Sequence, residues 1–151
     1  FKIVDKSGKI EVKKLMALMG HKGSVYSCDF SGDSQRAVTS SKDQTWKLWK
    51  LDIEHQGELN ANPEVLLSVN HPEKGKVFDI IRISPNGQKV AGVTNNKGAP
   101  TLFIFSLPNG KLIDQVNNIH NQKVTQMHFS PDSTMIATSS EDKQVKIWST
   151  E

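Results

Sequence analysis

The stretch Gly20–Trp49, GHKGSVYSCDFSGDSQRAVTSSKDQTWKLW, returns in altered form at residues 119–148 as IHNQKVTQMHFSPDSTMIATSSEDKQVKIW. In both copies a histidine is followed after 18 residues by threonine, after 22 by aspartate and after 28 by tryptophan. The eight residues are His21, Thr39, Asp43 and Trp49 in the first copy and His120, Thr138, Asp142 and Trp148 in the second. Four shared offsets indicate that one structural unit is repeated along the chain.

Short runs of apolar and β-branched residues, separated by turn residues, fill each copy and the segment between them. The turns are SGDS at 31–34, SPNG at 84–87 and SPDS at 130–133. Proline presets φ at the second position of a turn, and Asn-Gly or Asp-Ser supports a tight reversal between antiparallel strands. Helical periodicity is nowhere sustained. The sequence therefore predicts an all-β fold of propeller blades, in which each unit buries its faces against its neighbours.

Four segments follow from the repeats: the end of a preceding blade at 1–9, a blade at 10–51, a degenerate blade at 63–106 and a last blade at 110–151. Propellers have about four to eight blades, so three blades and a remnant cannot close a ring. We expect an incomplete propeller, of seven blades when whole, with the missing blades supplied by upstream sequence or by a second copy.

The middle unit departs from the pattern of the other two. Counted from its turn serine, Gly92 replaces the threonine, Asn96 replaces the aspartate and Phe105 takes the tryptophan place. His71 lies about three residues too early to fill the histidine place. We therefore expect this blade to hold by apolar packing, without a polar network.

Composition favours a soluble binding domain and gives little support to nucleic-acid binding. The formal net charge of +3 is spread over interspersed lysines and acids. Cys28 is the only cysteine; it occupies an inward strand position, which predicts a buried structural thiol and suits a reducing compartment. Trp46 shares strand parity with Leu48 and is expected in the core between blades. No stretch approaches the roughly 20 apolar residues of a membrane span.

The repeated polar residues are predicted to be structural. The threonine hydroxyl can sit between the histidine ring and the indole N–H of tryptophan, while the aspartate orients the other ring nitrogen. His21, Ser40 and Asp43 could also suggest a nucleophile triad, but the grouping recurs without an oxyanion loop, which favours a scaffold without catalytic residues. The histidines show no zinc-ligand spacing, so neither a metal nor another cofactor is expected.

The Gly-His pair, the serine turn, Ser-Ser-x-Asp and the closing Lys-x-Trp resemble the repeats of WD40 propellers, and residues 30–49 are similar to a blade of the transducin beta-like group within that family. The resemblance implies a non-enzymatic scaffold for protein or peptide partners, intracellular, facing the cytosol and associated with the endoplasmic reticulum. It places partner contacts on the top face, at Ser24, Tyr26, Lys42, Lys123, Thr125 and Glu141, with Val77 and Asp79 equivalent in the middle unit.

Tyr26 is the best single candidate for an anchor on this face, because an aromatic ring with a polar tip makes a good hot spot. A propeller that binds RNA or a ribonucleoprotein is the alternative function, since some propellers carry basic faces. Phosphate contacts make affinity fall steeply with salt, so a salt titration distinguishes the two hypotheses.

Overall fold

The computed structural model describes residues 2–6, 9–51 and 63–151. These residues form thirteen strands and no helix, so the fold is all-β as predicted, and none of the described segments is a helix able to cross a bilayer. The strands are β1 (Lys2–Lys6), β2 (Lys9–Lys13), β3 (Val25–Phe30), β4 (Arg36–Ser41), β5 (Thr45–Lys50), β6 (Glu64–Asn70), β7 (Ile80–Ile83), β8 (Lys89–Thr94), β9 (Thr101–Ser106), β10 (Lys111–Val116), β11 (Val124–Phe129), β12 (Met135–Ser140) and β13 (Val145–Ser149).

Sequential strands pair in antiparallel fashion to give three sheets and a separate hairpin. The first sheet contains β3 to β6, the second contains β7 to β10, and the third contains β11 to β13 in the described part of the chain. The hairpin pairs β1 with β2. Strand β7 contacts both β3 and β11, so the first strands of the three sheets lie next to one another.

The sheets are offset from the units read in the sequence. Strand β6 opens the unit predicted at 63–106 but pairs with β5, and β10 opens the unit predicted at 110–151 but pairs with β9. Each repeat therefore contributes its first strand to the preceding sheet. The repeat in the sequence gives the length of a unit. It does not show whether the first strand of that unit pairs with its own sheet or with the preceding one. The division of the chain into domains remains a prediction, and the turn residues 7–8 before the first blade lie outside the described residues.

The turns that connect the first and second strands of each sheet share one hydrogen-bond pattern. The turn serine accepts, at its Oγ, the backbone N–H of the residue five positions later: Arg36 to Ser31, Lys89 to Ser84 and Met135 to Ser130. The same serine hydroxyl donates to an Asp or Asn side chain within the turn. These local bonds fix where β3, β7 and β11 end and their partners begin.

The core lies between the sheets. Trp46 and Val38 of the first sheet pack against Phe78, Ile81 and Phe105, which belong to the second sheet or directly precede it. Trp46 is fully buried, which confirms its predicted place in the core. A second cluster lies between the other two sheets and includes Ile80, Val93, Leu102, Val124, Met127 and Ile136.

The prediction of a buried Cys28 is wrong, because this side chain is exposed. Its strand neighbours Ser27 and Asp29 hydrogen-bond to the second sheet, at the backbone of Ile81 and Ile83. Side chains alternate along a strand, so Cys28 points to the opposite face of the first sheet. The alternation of side chains correctly separated the two faces of β3. It could not show which face packs against the second sheet.

Candidate interaction site on the turn edge

The first sheet contains a continuous hydrogen-bond chain of four side chains. His21 Nδ1 lies 2.8 Å from Asp43 Oδ2, and His21 Nε2 lies 2.7 Å from Thr39 Oγ1. The indole N–H of Trp49 donates to Thr39 Oγ1 over 2.8 Å. The ionised Asp43 carboxylate can only accept, so the proton of the neutral His21 ring lies on Nδ1, and Nε2 accepts the proton of the Thr39 hydroxyl. All four predicted residues are thus brought together, each with a defined donor or acceptor role.

The third sheet repeats this chain of contacts. His120 Nδ1 lies 2.9 Å from Asp142 Oδ2, and His120 Nε2 lies 2.9 Å from Thr138 Oγ1. The indole N–H of Trp148 donates to the same hydroxyl over 2.9 Å. The two aspartates also accept backbone N–H groups directly after each histidine, from Lys22 and Asn121. The network therefore ties the connection that precedes the first strand of each of these two sheets to the turn between the second and third strands.

The aspartates of both networks are held in the ionised form. Burial raises the pKa of the Asp43 carboxyl, but hydrogen bonds from Thr45, the Lys22 N–H and His21 outweigh it and hold the pKa well below its usual range. Burial likewise acts against ionisation of Asp142, but hydrogen bonds from the Asn121 N–H and His120 lower its pKa to about 2. Both carboxylates therefore remain ionised acceptors at neutral pH.

The triad suggested by His21, Ser40 and Asp43 is not assembled. Ser40 neighbours Thr39 in β4, so the two side chains lie on opposite faces of the sheet. Ser40 Oγ is buried without a hydrogen-bond partner among the described residues, while both nitrogens of His21 are engaged by Thr39 and Asp43. His21 therefore serves no serine as a general base in this arrangement.

The interpretation of His71 as lying too early for a network is wrong. Its side chain is buried, its Nε2 lies 2.7 Å from Thr94 Oγ1, and its Nδ1 accepts the Glu73 N–H over 2.9 Å. Thr94 in turn donates to the carbonyl of Val77 over 2.9 Å. Burial lowers the pKa of His71, in keeping with a neutral ring protonated on Nε2. The second sheet thus has a polar network of its own, built at a different register.

Gly92 explains why the register differs. It pairs with Phe103 across β8 and β9, as Thr39 pairs with Lys47 across β4 and β5, so it occupies the threonine place. A Cβ added to Gly92 would lie 2.6 Å from the Phe78 ring. Phe78 therefore fills the space that a threonine side chain would need, and the hydroxyl that meets the histidine comes from Thr94, two residues further along β8.

The top rim is the end of the sheets formed by the connections that enter β3, β7 and β11 and by the turns β4–β5, β8–β9 and β12–β13. All six predicted partner-binding residues on it are exposed: Ser24, Tyr26, Lys42, Lys123, Thr125 and Glu141. In the first sheet Lys42 N–H donates to the Ser24 carbonyl over 2.8 Å, and in the third Glu141 N–H donates to that of Lys123 over 3.0 Å. The structure thus forms two groups, one beside each histidine network.

Asn95 connects the second sheet to the third at this rim, and the sequence analysis missed it. Its Oδ1 accepts the Val124 N–H over 2.8 Å, and its Nδ2 donates to the Val124 carbonyl over 3.1 Å. The Asp79 carboxylate accepts the Asn95 N–H over 2.7 Å. Asn95 directly precedes Asn96, as Lys42 precedes the turn aspartate of the first unit, so the same offset applied to the middle unit points to it.

Comparison with known proteins agrees with this geometry. The family model described as WD domain, G-beta repeat, matches residues 12–50 and 114–149. Transducin beta-like protein 2 of Mus musculus is 28% identical over 138 residues, covering 91% of this chain and 30% of that protein. The Homo sapiens protein of the same name is 27% identical over 139 residues, again covering 91% of this chain and 30% of its relative. The chain thus spans less than a third of the length of these relatives.

A subunit of a known complex and a solved structure are also similar. Target of rapamycin complex subunit LST8 of Rattus norvegicus is 28% identical over 121 residues, covering 75% of this chain and 32% of that protein. The crystal structure of RRP9 WD40 repeats superposes with a TM-score of 0.70 at 18% identity, over 88% of this chain and 37% of that one, which shows a shared fold. The chain belongs to the WD40-repeat family of β-propeller proteins.

Proposed function

We propose that this chain is part of a non-enzymatic scaffold that binds protein or peptide partners on its top rim. The observation that carries the proposal is the pairing of exposed rim residues with rigid supports: Lys42 precedes Asp43, and Glu141 precedes Asp142, whose carboxylates are fixed by the histidine networks. A site held by packed and hydrogen-bonded residues loses little conformational entropy on binding.

The side chains on the rim suit recognition of a polypeptide. Tyr26 is 47% exposed and offers both an aromatic face and a hydroxyl. Ser24 and Lys42 lie on the same rim of the first sheet as Tyr26, and polar residues around an aromatic anchor are typical of a binding surface. Two relatives are named as subunits of complexes, of target of rapamycin and of transcription initiation factor TFIID, which fits a role in assembly. Association with the endoplasmic reticulum, on its cytosolic side, follows from the resemblance to transducin beta-like proteins and belongs to the same proposal.

A matched pair of double variants tests the rim. Tyr26→Ala with Lys42→Ala removes an aromatic and a lysine from the top rim, whereas Phe30→Ala with Lys50→Ala removes the same two residue types from the opposite end of the first sheet. We expect the rim variant to lose most of the proteins captured from a cell extract, measured by quantitative mass spectrometry, and the control variant to keep them. Both should melt within about 2 °C of the parent, since these side chains are exposed.

Equal capture by the two variants would show that partners bind elsewhere. RNA binding, the alternative function, would instead appear as ribonuclease-sensitive capture with an affinity that falls linearly, on logarithmic axes, as the salt concentration rises.

A further inference from the structure

Arg82 lies on β7 between the first strands of the neighbouring sheets and has no carboxylate partner among the described residues. Its Nη1 donates to Ser27 Oγ over 3.0 Å and to the Ile81 carbonyl over 2.7 Å. Its Nη2 reaches Gln126 Oε1 over 3.4 Å, a weak contact. All three acceptors are neutral. The guanidinium group is therefore held in place by contacts that leave its charge uncompensated.

The contacts leave one edge of the guanidinium free. The two Nη1 protons are used by Ser27 and Ile81, and one Nη2 proton points toward Gln126. The Nε–H has no acceptor within the described part of the chain, and the Nη2 group has only the weak contact to Gln126. Nε–H and one Nη2–H point along the same edge of the planar guanidinium, and such a pair can bind a carboxylate through two hydrogen bonds.

Lysines are frequent at the top rim, the end of the sheets above Arg82. Ser27 and Gln126 lie three residues into their strands from Ser24 and Lys123, so Arg82 lies about 10 Å below the rim. Exposed lysines lie in the connections and turns of the rim, among them Lys22, Lys42, Lys74, Lys76, Lys97, Lys123 and Lys143. Five carboxylates lie in the same connections and turns: Asp43, Glu73, Asp79, Glu141 and Asp142. The lysines outnumber them, so the net field at this end of the sheets attracts negative charge.

We propose that the partner bound by this rim is an acidic polypeptide segment, one carboxylate of which forms a bidentate pair with Arg82. The proposal rests on the scaffold function above and names the chemistry of its partner. Lysines at the rim steer the segment by long-range attraction, and the Arg82 fork fixes its position. A guanidinium already held by Ser27 and Ile81 loses little side-chain entropy when the carboxylate arrives.

The arrangement suits spaced carboxylates better than a phosphate backbone. Glu73, Asp79 and Glu141 lie in the same connections and turns as the rim lysines, so this end of the sheets carries anions as well as cations. A nucleic-acid strand carries a charge at every residue and would meet repulsion at these three positions. A polypeptide can place acidic residues opposite lysines and neutral residues opposite the rim carboxylates.

Fluorescence anisotropy with defined probes tests the proposal. The probes are a fluorescein-labelled peptide of alternating glutamate and serine, the same peptide with every glutamate replaced by glutamine, and an oligouridylate of equal length. The variants are Arg82→Gln, Arg82→Lys and, as a control on a basic residue at the opposite end of the second sheet, Lys111→Gln. Thermal melting of each variant checks that the fold is retained.

We expect the parent chain to bind the glutamate peptide and not its glutamine counterpart. Arg82→Gln should weaken binding at least about tenfold and Arg82→Lys by a smaller factor, since lysine keeps the charge and loses the fork. Lys111→Gln should bind as the parent does.

Three results would overturn the proposal: equal binding of the two peptides or of neither, unchanged binding by a folded Arg82→Gln variant, or tighter binding of oligouridylate than of the glutamate peptide. The scaffold function fails separately, when capture by the Tyr26 and Lys42 double variant is unchanged. Loss of capture in that variant without any response to acidic probes would reject only the acidic class of partner.

Discussion

Each of the three sheets holds a histidine in a hydrogen-bond network. The order of donors and acceptors in the first and third sheets is the reverse of the order in the second sheet. In the first sheet the donors run from Trp49 through Thr39 and His21 to Asp43. In the second, the backbone N–H of Glu73 donates to His71, which donates to Thr94, which donates to a backbone carbonyl. The direction of the chain is reversed, and the histidine proton sits on the other ring nitrogen.

The comparison shows that both nitrogens of a buried histidine need hydrogen-bond partners. The repeated threonine and aspartate are one way to provide them. An unpaired buried polar group costs about 1 to 3 kcal/mol, so loss of the threonine and aspartate requires a replacement. Backbone groups supply it in the second sheet. Aromatic packing supports this solution: the His71 and Phe78 ring centres are 4.3 Å apart, and Phe78 lies 5.6 Å from Phe103.

The largest effect is expected where a network member is also a large core side chain. Trp49→Ala removes a fully buried indole and the donor to Thr39, so the free energy of unfolding should fall by about 3 to 5 kcal/mol, measured by urea denaturation. Trp49→Phe copies the second sheet, where Phe105 occupies this register, and should recover more than half of the loss. A cost below about 1 kcal/mol for the alanine variant would contradict a structural role for the network.

A medium effect is expected from adding one methyl group to the second sheet. Gly92→Ala places a Cβ 2.6 Å from the Phe78 ring, so it should lower stability by about 1 to 3 kcal/mol through overpacking. Phe78→Val introduces the residue found at the same offset in the other two units, Val25 and Val124. In a double-mutant cycle the two changes should be less costly together than the sum of their separate costs, and simple additivity would show that Phe78 does not set this register.

The smallest effect is a difference in response to acid. The pKa of His71 is lowered in the folded protein, so the unfolded chain binds its proton first as the pH falls through 6.5. His71 therefore stabilises the fold fully above that pH and less below it. Urea midpoints measured from pH 7 to pH 5 should decline, and His71→Gln should flatten the decline.

The aspartate networks should respond at lower pH. Asp142 has a pKa of about 2 against 3.8 for its unperturbed side chain, so its contribution is present above pH 3.8 and is lost as the pH falls toward 2. Asp142→Asn should reduce the slope of the urea midpoint in that range. An unchanged slope there would contradict a stabilising role for the ionised Asp142 carboxylate.

Sequence offsets predicted the intact networks because strand geometry is regular. Thr39 and Trp49 lie on paired strands of one hairpin, and the turn at Asp43 is local to it, so fixed spacing implies fixed proximity. The same reasoning failed for His71. Its partner Thr94 is 23 residues away, and the bond depends on Phe78 occupying the threonine place, a packing event that no spacing reveals.

The sequence by itself determined the all-β repeat architecture, the hairpin turns and the members of both intact networks. These depend on strand alternation and on bonds within or between adjacent strands, which a short pattern specifies, whereas the candidate rim residues came from the family resemblance. Only the tertiary structure decided that β6 and β10 complete the preceding sheets, that Cys28 is exposed, that Asn95 joins two sheets and that Arg82 contacts only neutral acceptors among the described residues. Each depends on which surfaces of different sheets meet, and a linear pattern does not contain that information.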